Sequence, residues 1–378
     1  MKRKSMIFSA LLCLVFLLVS CFLNNAPKPV VGSTLIGITM PETHIKRWTK
    51  DGASLKKFAE SKGYRAELSF AYSNQETQNQ QIRNFITSGA KLIIVGCINE
   101  KVTEAVADAA RNNVAVIAYD RLIQNSDDYD YYITFNNYKV GLFQGLGIKY
   151  GLNLDGVTAE NPKYISLFAG SGSDNSASMF YDGAMEILNP YIEKGILKVV
   201  GPYPKNSRDS DNYRLIVTNN WDGSIARARM ESLLENEAKD IVLDAVLAPN
   251  DTLARVIIST CLVYLKYSRG KLPLVTGQDA EADSIVAIKE NLQYMTVFKD
   301  TTKLAAAAIS LADQILKGNS NPVISGGILA SGNDRSIGDT GKKIVKSFIL
   351  EPIYIEKTNW NIPVMAGFYT PEEEYMLK

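Results

Sequence analysis

From Thr34 onward, short apolar runs alternate with longer amphipathic stretches almost to the end of the chain. The runs TLIGITM (34–40), AELSFA (66–71), LIIVGC (92–97), VAVIAY (114–119) and YYITF (131–135) are rich in β-branched and aromatic residues. YISLFAG (164–170), ILKVVG (196–201), AVLAPND (245–251), LPLVTGQDA (272–280), YMTVFKD (294–300) and FILEPIYIEK (348–357) follow in the same style. Continuous apolar runs predict strands buried on both faces, the habit of parallel sheets. Between them, helical spacing predicts helices over 43–62, 74–88, 101–112, 138–150, 176–189, 221–236, 251–267, 281–291 and 301–317. Ser73 with Glu76 three residues on reads as the capping box of the second helix. Gly141, Gly145 and Gly147 fall on a helical stretch and read as points of close helix packing. Alternation this regular implies right-handed βαβ units with helices on both sheet faces. There are too many strands for one compact sheet, so the pattern predicts two similar Rossmann-like α/β lobes. Two stretches break the rhythm: a polar loop at 202–220 and a Gly/Ser-rich segment at 319–346.

The N-terminus follows another pattern. Lys2-Arg3-Lys4 precedes an apolar run from Met6 to Val19, too short to span a membrane comfortably and typical of a signal peptide. It ends in Leu18-Val19-Ser20-Cys21, which resembles a lipobox. Residues 1–20 therefore read as a lipoprotein signal peptide, Cys21 as the lipidation site and 21–33 as a tether. The expected product is exported, periplasmic or at the cell surface, and touches the membrane only through its lipid anchor. Cys97 and Cys261 fall on apolar positions and read as core residues, unpaired because they belong to different lobes.

Composition narrows the chemistry. Among 378 residues the net charge is +1, so no bulk field argues for nucleic acid. A single histidine, His44, leaves little room for a histidine metal site or a hydrolytic triad. Gly170-Ser-Gly172-Ser-Asp-Asn175 lacks the third glycine of a dinucleotide loop, and Gly338-Asp-Thr-Gly341-Lys342-Lys343 fails the spacing of a phosphate loop. No catalytic residue, metal or cofactor is assigned.

Polar side chains recur instead just past the strand ends. Asp120-Arg121, Asn136-Asn137, Asn250-Asp251, Gln278-Asp279 and Lys299-Asp300 all stand there, with Glu42, Lys46, Arg47 and Trp48 after the first strand. Open α/β sheets bind ligands at this edge. Carboxylates accept from hydroxyls, Arg donates in a fork and Asn does both, which suits a neutral polyol. Trp48 and Trp221 offer flat apolar surface for a sugar ring. Taken singly, Asp120-Arg121 also reads as a surface ion pair, and Asp251 and Asp300 as helix caps.

The ordered series Lys46-Arg47-Trp48, Ala118-Tyr119-Asp120-Arg121-Leu122-Ile123, Thr134-Phe135-Asn136-Asn137, Asp182-Gly183-Ala184-Met185, Ala248-Pro249-Asn250-Asp251, Gly277-Gln278-Asp279-Ala280-Glu281 and Phe298-Lys299-Asp300 resembles the type I periplasmic sugar-binding proteins of bacterial ABC transporters. Within that family it is most like the xylose-binding and multiple-sugar-binding group. The resemblance implies two α/β lobes joined by a three-strand hinge, with a monosaccharide of the xylose, glucose, galactose or arabinose type in the cleft. It implies crossings after Asn136, near Asp279 and after the 301–317 helix. The first lobe would then comprise 34–136 plus 279–325, and the second 137–278 plus 326–378. Matching sugar contacts are Arg47, Trp48, Asp120, Arg121, Asn137, Asn175, Trp221, Asn250, Asp279 and Lys299. Asn136 departs from the pattern, since relatives usually carry Asp there. The implied partners of this monomer are the sugar and an ABC permease with its ATPase. The alternative is a sensor presenting its closed form to a chemoreceptor or sensor kinase.

Overall fold

The computed structural model describes residues 33–325, 327–329 and 337–377. The signal segment, Cys21 and all but the last residue of the tether lie outside them. The apolar runs become strands, and every residue of β1 (Leu35–Met40) and β3 (Leu92–Val95) is buried. The more polar β2 (Arg65–Phe70) takes an edge. β4 (Ala115–Tyr119) and β5 (Tyr131–Phe135) extend the sheet in parallel, and two late strands, β11 (Ile328–Leu329) and β12 (Lys346–Leu350), complete it. The order is β11-β12-β5-β4-β3-β1-β2, with β11 antiparallel to β12. Helices α1 (Lys46–Ser61), α2 (Gln75–Thr87) and α3 (Thr103–Arg111) connect its strands. Asn74 rather than Ser73 caps α2, accepting from Thr77 N at 2.9 Å, while Ser73 Oγ donates to Glu42 at 3.0 Å.

The second lobe holds a parallel sheet of β6 (Lys163–Leu167), β7 (Leu197–Val199), β8 (Ala245–Leu247) and β9 (Leu274–Val275), in the order β7-β6-β8-β9. Its helices are α4 (Asn137–Gly151), α5 (Asn175–Glu193), α6 (Gly223–Glu235), α7 (Asp251–Cys261) and α8 (Ala282–Lys289). β10 (Met295–Phe298) pairs antiparallel with β13 (Ile353–Glu356). Tyr294 N donates to Val275 O at 3.1 Å, which sets this pair beside β9. The chain thus has the type I periplasmic binding protein fold, two Rossmann-like lobes with parallel sheets.

The lobe boundaries differ from the sequence partition. The resemblance puts residues 279–298 in the first lobe, but β10 pairs with β13 and the residue before it, Tyr294, bonds to Val275 of β9; it puts 326–378 in the second, but β12 sits beside β5. The long run FILEPIYIEK is two strands because Pro352, lacking an N–H, interrupts the ladder, and its halves join different sheets. Helix α9 (Thr301–Leu316) packs on α1, β4 and β5. The crossings therefore follow β5, β10 and β12, not Asp279 and not the 301–317 helix. Asn136 N donates to Leu350 O at 2.9 Å, tying the first crossing to the third.

The helical glycines do pack closely. A Cβ at Gly141 would lie 1.9 Å from Phe180 O, and one at Gly183 2.2 Å from Tyr138 O, so α4 and α5 touch backbone to backbone. Their N-termini consequently meet: Asn137 Nδ2 donates to Ser176 Oγ at 3.1 Å. Cys97 and Cys261 are buried and free.

Candidate functional site

The apolar run of β1 ends just before the loop that opens α1, and the first turn of α1 carries Arg47 and Trp48 into the cleft between the lobes. Arg47 Nη2 donates to Asp120 Oδ1 at 2.7 Å and to Asp51 Oδ2 at 3.2 Å. Its Nη1 lies 3.6 Å from Asp279 Oδ1, which Lys299 Nζ approaches at 2.9 Å. Arg47, Asp51 and Asp120 come from the first lobe; Asp279 and Lys299 come from the second, at the ends of β9 and β10. All five are buried. Burial pushes the Asp120 carboxyl up, but Arg47 and Lys299 outweigh it and hold the group below the usual carboxylate range.

Backbone strain marks the two acids. Asp120 has φ +63° and Asp279 φ +94°, a region that Asp tolerates better than most side chains. Asp120 is held there by its neighbours: its N–H donates to Ile133 O, and its carbonyl accepts from Tyr132 Oη and Thr134 Oγ1, both at 2.9 Å. Such strain persists where surrounding structure over-determines it, commonly at ligand sites.

A second pair closes the other side. Arg121 Nε lies 2.8 Å from Asp174 Oδ2 across the cleft, and Asn175 Oδ1 accepts from Leu122 N at 3.1 Å. The Trp48 ring carries both guanidiniums, with Arg47 at 4.7 Å and Arg121 at 5.1 Å from its centroid. Trp48 is thus a floor for the arginines as well as a cavity wall. Trp221 forms another wall; its ring covers Gly170, where a Cβ would come within 2.2 Å of it. Asn250 caps α7, accepting from Leu253 N at 2.9 Å, so Asp251 is that helix's first residue rather than its cap.

These groups surround a tight cavity of about 30 Å³ between the lobes. Of the residues expected from the sequence, all but Asn137 and Asn175 line it. Those two stand behind the wall, Asn137 bonded to Thr134 and Ser176, Asn175 to Leu122. Asn136 is spent on capping α4, accepting from Lys139 N at 3.0 Å, a task Asp performs equally well. The expected list omitted Ile45, Asp174, Ser176, Phe180 and Gln278, which also line the cavity. Gln278 carried a signal, being a polar residue just past a strand end; Ile45, Asp174, Ser176 and Phe180 carried none.

Unpaired polar atoms converge on this space. Arg47 Nε and Trp221 Nε1 are buried donors without a partner, and Gln278 Oε1 is a buried acceptor without one. Buried orphans of both kinds are costly unless a bound group completes them. A larger open groove of about 620 Å³ lies beside the site, between α1 and residues 367–376. Apart from Arg47 and Asp279, which both cavities share, its lining residues hold no buried unpaired polar atom among the described residues. Chemistry therefore favours the smaller cavity. Among the described residues no group of His, Cys, Asp or Glu is arranged to hold a metal ion.

A family model described as the periplasmic binding protein domain matches residues 36–320. The chain belongs to the periplasmic binding protein family. This periplasmic binding protein is 36% identical over 353 residues to the multiple sugar-binding periplasmic receptor ChvE of Rhizobium radiobacter, covering 92% of this chain and 94% of the relative. The D-xylose-binding periplasmic protein of Escherichia coli (strain K12) is 32% identical over 340 residues, 90% of this chain and 92% of that one. A solved ABC transporter solute binding protein from Clostridium phytofermentans, with bound β-D-glucose, has a TM-score of 0.78 at 34% identity, covering 91% of this chain and 100% of its own. The relatives are binding proteins by name, not enzymes.

Proposed function

We propose that this periplasmic binding protein captures a monosaccharide of the glucose or xylose type between its lobes and delivers it to an ABC permease. The observation that carries the reading is the convergence of unpaired donors and acceptors from both lobes on one small cavity walled by Trp48 and Trp221. A hydroxyl donates and accepts at once, so a ring of hydroxyls can complete both kinds of orphan. An aromatic wall suits the ring's apolar face. The names of the relatives, a multiple sugar-binding receptor and a D-xylose-binding protein, support the same ligand class. Because contacts come from both lobes, the ligand favours the closed form over the open one, and a permease can read that shape. We further propose the sugar contacts Arg47, Trp48, Asp120, Arg121, Trp221, Asn250, Asp279 and Lys299, with Asn137 and Asn175 supporting them, and export with a lipid on Cys21.

Melting the purified protein with D-glucose, D-galactose, D-xylose and L-arabinose, followed by calorimetric titration, tests the reading. A ligand binding the native state at 100 times its Kd stabilises it by about 2.7 kcal/mol, several degrees for a domain of ordinary size. If none of the four raises the melting temperature or gives heat, the sugar reading fails.

A further inference from the structure

We propose that Asp174 sets the charge class of the ligand: by neutralising Arg121 from the opposite lobe it reserves the cleft for uncharged sugars and excludes sugar acids. The inference rests on the sugar-binding reading above and concerns which sugars that site accepts.

A ligand carboxylate needs a cation with bonding capacity to spare. The cavity's buried cations are Arg47, Arg121 and Lys299, and each already faces an acid. Arg47 meets Asp51, Asp120 and Asp279; Lys299 shares Asp279; Arg121 meets Asp174. Even with Asp51 set aside, three carboxylates answer three cations. Glu42, buried beside Arg121 at the cleft margin, adds to the acidic side. A further carboxylate would enter a desolvated space with no counter-charge left, which is strongly unfavourable. The unpaired atoms on the cavity wall are Arg47 Nε and Trp221 Nε1 as donors and Gln278 Oε1 as an acceptor, and the Arg47 charge is already answered by Asp120 and Asp279.

Arg121 is the cation whose balance is easiest to change. Asp120, its neighbour in sequence, turns to Arg47, and the remaining partner of Arg121 is a neutral carbonyl, Cys97 O, at 3.3 Å. Among the described residues Asp174 is the one acid at salt-bridge distance from it, with Glu42 and Asp120 acting from farther off. Asp174 divides its oxygens: Oδ1 caps α5 by accepting from Ser176 N at 3.0 Å, and Oδ2 faces Arg121 at 2.8 Å. Asn caps as well as Asp, so Asp174→Asn removes the charge and leaves the helix start intact.

The test is calorimetric titration of the full protein and Asp174→Asn with D-glucose and D-glucuronate, and with D-galactose and D-galacturonate, each pair differing only at C6. Like-charge juxtaposition in a buried site corresponds to a discrimination of roughly 100-fold or more, so the native protein should favour the neutral member by that factor. Asp174→Asn, folded by its melting curve, should narrow the ratio by at least about tenfold, mainly through tighter uronate binding. A native protein that binds either uronate within tenfold of its neutral partner overturns the proposal, as does a ratio unchanged in Asp174→Asn. Failure of every neutral sugar, xylose and arabinose included, would instead overturn the sugar reading itself.

Discussion

At the scale of single residues, Asp120 joins two properties that substitution can separate. Its charge holds Arg47 at 2.7 Å, and its φ of +63° is one that Asp and Asn tolerate at less cost than Ala. Asp120→Asn should therefore keep the fold and lose the ligand. Removing one partner of a buried charge pair costs about 2–5 kcal/mol, a roughly 30-fold to several-thousand-fold weaker affinity. Asp120→Ala should lose about the same affinity and in addition roughly 1–2 kcal/mol of ligand-free stability from the left-handed backbone. Titration beside denaturant melts checks both, and normal sugar binding by Asp120→Asn would show that the acid is not a ligand group. Asp251 gives a pH signature. Burial, reinforced by Glu281, pushes its carboxyl up to about 8. The unfolded chain releases that proton near pH 4, so the folded state holds more protons between about pH 4 and 8. Stability from this group is complete at the acid end and is lost as pH rises through about 8. Asp120, held below the usual range, acts in the opposite sense: its contribution is present above about pH 4 and fails only in stronger acid. The melting temperature difference between native protein and Asp251→Asn should thus change steadily from about pH 4 to about pH 8, moving against the native protein, and level off above. A constant difference would mean that Asp251 is ionised throughout.

At the scale of elements, the glycine contact between α4 and α5 fixes where the helix N-termini lie, and with them Asn137, Asp174 and Ser176. Gly141→Ala would set a methyl 1.9 Å from Phe180 O, a backbone atom that cannot swing aside. The helices must part, at a cost of about 1–3 kcal/mol by the measure of other overpacked cores. Sugar affinity should fall with stability, since the wall of the cavity moves; a urea melt and a titration read the two, and an unchanged melt would contradict the contact. This packing was legible in the sequence because Gly141, Gly145 and Gly147 interrupt a helical pattern without ending it. The strand-end pairs were legible for a similar reason: a buried apolar run stops and chemistry begins on the next residue, as at Tyr119-Asp120. Pairing partners were not. YMTVF and FILEP look alike as buried strands, and nothing local says that β10 stays with the second sheet while β12 returns to the first. Asp174 was hidden in the same way. One acid in a polar loop acquires meaning only once Arg121 faces it from the other lobe.

For the whole molecule, closure rests on contacts of unequal weight. Lys46–Asp283 at 3.2 Å and the Lys50 ammonium over Phe368 at 3.4 Å span the lobes near the surface. Lys139–Glu351 at 2.5 Å lies at the crossings. Half-exposed pairs of this kind contribute roughly 0–1 kcal/mol each. The buried pairs in the cleft carry the larger energies, and those are the ones a sugar would touch under the proposed function. The lobe connectivity also has a consequence in time. β5 lies between β4 and β12, so every residue from Asn136 to Ser347 must be made before its second edge is covered. A chain emerging from the ribosome therefore carries an unfinished first sheet through most of its synthesis. Sheets completed by distant segments close slowly and expose strand edges meanwhile. For an exported protein that delay is useful, because a chain without its closing strand can still be threaded. Stopping translation after Thr340 should fix the protein in that condition, and gel filtration after refolding should find the shortened chain aggregated where the complete one is not.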